Sequence, residues 1–109
     1  VLFLHGLDAR PGGIKPTYLS RRGHTVLNPA LPREDFEESV RIAQAELSEH
    51  SPDVLVGSSR GGAVALAMDL GTTPTILIAP AWKFFTDTPR IPPRLTVIHS
   101  RQDHLIPFE

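Results

Sequence analysis

Cysteine is absent from the 109 residues, which excludes disulfides and thiolate metal centres but does not by itself decide the compartment. No run approaches the roughly 18 apolar residues of a membrane-spanning helix, and no basic-then-apolar leader precedes Val1. An excess of either charge is missing too. Eleven basic and twelve acidic residues, spread along the chain, give a net charge of −1, so there is no electrostatic footprint for nucleic acid or an anionic membrane surface. The expectation from these absences is a cytoplasmic protein that binds neither nucleic acid nor membrane. Internal repeats and low-complexity stretches are also lacking. A chain of this length buries roughly 65% of its unfolded surface, enough for one core, so a single domain is expected over 1–109. Because the chain opens on Val1 inside an apolar run and closes on Pro107-Phe108-Glu109, that domain is expected to be cut at its C-terminus and at its N-terminus.

Five short apolar runs are present: Val1–Leu4, His24–Leu27, Val54–Val56, Thr75–Ile78 and Leu95–Ile98, each bounded by Gly, Pro, Asp or Asn. Continuous runs of this kind suit strands covered on both faces. Between them, Phe36, Val40, Ala43 and Leu47 recur at helical spacing. Asp35 and Glu38 read as a capping box, Glu37 faces Arg41 four residues on, and Ser51-Pro52 ends that helix. The stretch from Arg60 to Leu70 is apolar nearly all round, as a central helix is, with Gly71 placed for its C-cap. A shorter helix is expected from Pro16 to Arg22. Alternation of strands and helices with right-handed crossovers predicts an open, doubly wound, mostly parallel α/β sheet of five strands. In the order 2-1-3-4-5, the loops leaving the first and third strands meet at the switch point, where such sheets place ligands.

The second of those loops holds Gly57-Ser58-Ser59-Arg60-Gly61, a G-x-S-x-G between an apolar strand and a helix. A serine at the apex of so sharp a turn sits in a strained conformation, and small flanking residues let the helix pass close to the strand. Only Ser59 has glycine at both two-residue offsets, so Ser59, not Ser58, is the candidate nucleophile. A Gly/Ser-rich turn without chemistry is the competing reading of the pentapeptide. The other loop, His5-Gly6-Leu7-Asp8, brings backbone N–H groups beside the serine, and the amides of Leu7 and Arg60 are the candidate oxyanion donors. His5, Gly6 and Trp82 are the candidate substrate-contacting residues, Trp82 within an aromatic cluster with Phe84 and Phe85 that core packing explains equally well. Asp103, beyond the fifth strand on the same edge, is the candidate acid; a loop aspartate capping a following helix is its alternative. The Arg60 side chain either attracts an acidic substrate group or lies along the helix against a neighbour.

Strand–His-Gly, Gly-x-Ser-x-Gly and strand–loop–Asp-x-x-Ile-Pro together resemble the α/β-hydrolase superfamily. More narrowly, His5-Gly6-Leu7, Lys15, Pro29-Ala30-Leu31, Asp35-Phe36-Glu37, Gly57 to Gly62 and Ala79-Pro80-Ala81 resemble its small lidless esterases. The resemblance implies an α/β-hydrolase core and a serine hydrolase that acts on small carboxylic esters or thioesters through an acyl-enzyme, without cofactor. It gives Ser59 the nucleophile's role and Asp103 that of orienting a histidine. That histidine is missing from its expected place after the acid, so it is expected beyond Glu109. His5 belongs to the oxyanion loop, His24 and His50 precede strands at the opposite edge, and neither His99 nor His104 is well placed. His99, Asp103 and His104 lack the spacing and the further ligand of a metal site, so no metal is expected. Two other classes stand beside the enzyme: a hydrolase-fold binding module without a base, and a flavodoxin-like phosphate-binding turn, which lacks the lysine of a P-loop.

Overall fold

The computed structural model describes residues 1–7, 9–81 and 90–99. Four strands, β1 (Leu2–Leu4), β2 (Leu55–Ser58), β3 (Thr75–Ile78) and β4 (Leu95–Ile98), pair in parallel in the order β1-β2-β3-β4. Three helices, α1 (Ile14–Arg21), α2 (Phe36–His50) and α3 (Arg60–Ala67), complete a small α/β fold. The register sets Leu2, Leu55, Thr75 and Leu95 side by side, with Leu4, Gly57, Leu77 and Val97 two residues on. This face carries α2 and α3, and its leucines join Ala43, Leu47, Val64 and Ala65 in one core. The opposite face, with Phe3, Val56, Ile76 and Ile78, borders a groove against α1. No helix among the described residues is long and apolar enough to cross a membrane.

The expected second strand is reduced to a single bridge. Leu27 pairs with Leu2 on the side of β1 away from β2, through Leu27 N–H to Val1 O and Phe3 N–H to Leu27 O, each 2.8 Å. The next rung of a parallel ladder would need an N–H from residue 29, which is proline and has none. Asn28 supplies the missing donor from its side chain, Nδ2 to Phe3 O at 3.0 Å. The neighbour order around β1 is therefore the expected one, but the described sheet has four strands and not five.

Helix ends depart from expectation for local reasons. Helix α1 begins two residues early, because Pro16 falls in the first turn, where no helical N–H is required of it. In α2 only half of the capping box forms: Asp35 Oδ1 accepts from Glu38 N–H at 3.0 Å. The Glu38 carboxylate turns instead to Arg41, so the ion pair is Glu38–Arg41 and not Glu37–Arg41. Helix α3 stops at Ala67 rather than Leu70. Gln44 of α2 takes both backbone groups of Asp69, Nε2 to Asp69 O at 3.0 Å and Oε1 from Asp69 N–H at 2.9 Å. This holds the chain out of the helix while Met68 and Leu70 remain in the core. Gly71, at φ 54°, serves the turn into β3 and is not the C-cap of α3.

Close packing of α3 on the sheet depends on two glycines. A Cβ on Gly57 would come 2.7 Å from Gly61 O, and one on Gly61 would overlap the carbonyl oxygen of Leu4. Gly61→Ala is expected to cost at least about 3 kcal/mol in urea unfolding, since backbone rather than a movable side chain must give way. Gly71→Ala meets no atom within 4 Å and should cost only the left-handed penalty, about 1 kcal/mol. Equal effects would show that α3 does not rest on the sheet through Gly61.

Candidate functional site

Ser59 links β2 to α3 at φ 53° and ψ −115°, outside the regions a serine adopts without strain. Its backbone is held from three directions. Ser59 N–H donates to Ile78 O at 2.9 Å, while Ser59 O accepts from Gly62 N–H at 2.9 Å, Ala63 N–H at 3.3 Å and Ala81 N–H at 3.0 Å. A serine at the N-cap usually spends its hydroxyl on the first-turn amides, but that requires extended backbone. At this dihedral the Ser59 side chain makes no capping bond, so Oγ stays at the carboxyl edge of the sheet. The N–H groups of Arg60 and Gly61 stand in the first turn, ahead of the helix's own ladder and at the positive end of its dipole.

The loop after β1 reaches the same point. A Cβ placed on Gly6 would lie 3.4 Å from Ser59 Cβ and 3.9 Å from Ser59 Oγ, so the Gly6 backbone abuts the serine. Leu7 follows in a turn closed by Ala9 N–H to Gly6 O at 3.3 Å. His5 lies beneath this loop and is 5% exposed. Its Nε2 accepts from Leu31 N–H at 3.1 Å and its Nδ1 lies 2.8 Å from Gly6 O. Ser58, at the end of β2, shares the Phe3 and Val56 side of the sheet. With His5, Gly6 and Lys15 it lines a cleft of about 220 Å³ against α1, away from the first turn of α3.

Arg60 departs furthest from what its neighbours in sequence suggest. Its side chain is 1% exposed and runs inward between α3 and α2. Nη2 donates to Pro32 O at 2.9 Å and to Ser39 Oγ at 3.2 Å, and the guanidinium lies 5.6 Å from the Phe36 ring centroid, within cation–π reach. Burial pushes its pKa below the usual arginine value, and the charge of Asp35 acts in the opposite sense. The guanidinium thus faces the core and not the carboxyl edge, and it does not lie along the helix surface either. Ser39, fully buried, lies 3.0 Å from Pro32 O and 2.9 Å from Asp35 O through its hydroxyl. Ser39 went unnoticed in the sequence; the signal was a serine three residues after Phe36 on the apolar stripe of α2.

The structure therefore brings Ser59, Gly6, Leu7 and Arg60 together at one edge. Asp8, Trp82, Asp103 and His104 lie outside the described residues. His99 follows β4 at that edge and is half-buried, while His50 meets Glu46 at 3.4 Å at the far end of α2. Among the described residues no three of His, Asp and Glu gather as a metal site. No family model, curated protein or solved structure compared with the chain matches it.

Arg60→Leu is expected to destabilise the protein by about 2 kcal/mol, because Pro32 O and Ser39 lose a charge-assisted donor. Combined with Ser39→Ala, the loss should be smaller than the sum of the two single losses. Urea unfolding of the four proteins of this cycle checks it; strict additivity would mean that Arg60 and Ser39 do not share a bond network.

Proposed function

We propose that the protein is a serine hydrolase of the α/β-hydrolase superfamily that cleaves small carboxylic esters or thioesters through an acyl-enzyme. One observation carries the reading: Ser59 is held in a strained strand-to-helix turn with its hydroxyl not spent on a helix cap, beside the Gly6 backbone and a helix N-terminus. In this reading Ser59 Oγ attacks the carbonyl carbon while a histidine base takes its proton. The N–H groups of Leu7 and Arg60 receive the negative charge that develops on the carbonyl oxygen. The imidazolium returns the proton to the leaving alkoxide or thiolate, and water activated by the same base releases the acid. Asp103, in the segment after the strand Leu95–Ile98, orients that histidine. Gly6, with His5 behind it, and Trp82 border the substrate. The reaction needs no cofactor, and a cytoplasmic setting suits it.

A fluorophosphonate tests this. The reagent should label Ser59, because an activated serine facing amide donors traps a phosphonyl group as it does an acyl group. Ser59→Ala should abolish labelling and lower ester turnover by about 10⁶-fold, whereas Ser58→Ala should keep both. Label on Ser58 would reassign the nucleophile. A folded protein that takes no label would be a binding module built on the same turn.

A further inference from the structure

His5 is a buried imidazole that the reaction scheme leaves unused, yet both its nitrogens are committed. A backbone N–H can only donate, so the contact from Leu31 N–H makes Nε2 an acceptor. The ring proton then sits on Nδ1 and donates to Gly6 O at 2.8 Å. That carbonyl also accepts from Ala9 N–H at 3.3 Å. Two donors on one carbonyl fix the plane of the peptide joining Gly6 to Leu7. The peptide is trans, so Leu7 N–H points away from the side that His5 and Ala9 occupy. The far end of the ring is anchored in the core, since Leu31 is 5% exposed and the next carbonyl, Pro32 O, is held by Arg60 at 2.9 Å.

We propose that His5 is a positioning residue: by donating from Nδ1 to Gly6 O and accepting at Nε2 from Leu31 N–H, it aims the Leu7 N–H at the substrate oxygen over Ser59. The inference rests on the serine-hydrolase reading. His5 touches no reacting atom. Its tautomer leaves no proton-accepting nitrogen for Ser59, and its work is to keep a loop amide at one orientation before the charge develops, where pre-set direction counts most.

Two substitutions separate the bonds. His5→Gln can reach the Nε2 position and accept from Leu31 N–H but has no donor for Gly6 O. His5→Asn keeps a donor near Nδ1 and loses the contact to Leu31. With kcat counted per fluorophosphonate-titratable Ser59, His5→Gln should fall about 10- to 100-fold with KM within about threefold, below the cost of deleting an oxyanion donor. His5→Asn, which keeps a donor for Gly6 O, should lose at least about threefold less kcat than His5→Gln, although both variants unfold at lower urea. A role in stability alone would leave kcat per titrated site equal in both variants, and that result would overturn the proposal. In the parent protein, the His5 Nδ1–H proton resonance should shift when Ser59 is phosphonylated; an unmoved resonance would overturn it without any variant having to fold. If the parent takes no fluorophosphonate at Ser59, the hydrolase reading falls and the positioning role with it. If the parent is labelled and His5→Gln keeps full kcat, only the positioning role falls.

Discussion

Helix α3 crosses β1 and β2 so closely that a methyl group on Gly61 would overlap the carbonyl oxygen of Leu4, and the placement of every group at the carboxyl edge follows from that approach. A chain that leaves β2 and must begin a helix this near the sheet has room for one connecting residue. That residue, Ser59, accepts a positive φ because its amide and carbonyl are both bound, to β3 and to the first turn of α3. The strain costs on the order of 1–3 kcal/mol and is sustained by burial of the whole segment from Arg60 to Leu66. The same approach sets the N-terminus of α3 beside the end of β1, where the His5-Gly6 loop emerges.

That loop depends on a second region, the proline-bearing segment from Asn28 to Asp35. Pro29 and Pro32 remove donors, so the segment cannot extend the sheet, and its groups are bound by side chains instead. Asn28 reaches Phe3 O, His5 accepts from Leu31 N–H, and Arg60 with Ser39 meets Pro32 O. Four polar side chains, among them His5 and Arg60, which the sequence offers for chemistry, are thus engaged in holding one irregular connection. Removing Asn28 or His5 takes the side-chain partner from Phe3 O or Leu31 N–H, and removing Arg60 or Ser39 leaves Pro32 O with one of its two donors, which is why a cost in stability accompanies each.

Where local pattern decides structure, the sequence was legible. The runs Thr75–Ile78 and Leu95–Ile98 are strands over those bounds, although Val97 and Ile98 are exposed rather than covered on both faces, and Asp35 caps α2, because a β-branched apolar run between turn residues and a cap are each governed by a few adjacent residues. The turn at Ser59 was legible for the same reason, as glycines at fixed offsets are what the close crossing demands. The second strand was misread because Pro29 lies just past the apolar run and acts on the rung that run would have made. Arg60 was not legible: its partners Ser39 and Pro32 are 21 and 28 residues away, and helix periodicity carries no information about them. Asp103 and Trp82 lie outside the described residues, so the acid and the aromatic wall rest on the sequence alone.

The central claim is that one strained serine, one loop amide and one helix-terminal amide converge on the position of a carbonyl oxygen. A crystal structure of the phosphonylated protein tests this most directly. The account predicts phosphorus bonded to Ser59 Oγ and a phosphonyl oxygen within about 3 Å of both Leu7 N and Arg60 N. An adduct on Ser59 whose oxygen points to solvent, with both amides turned elsewhere, would contradict it.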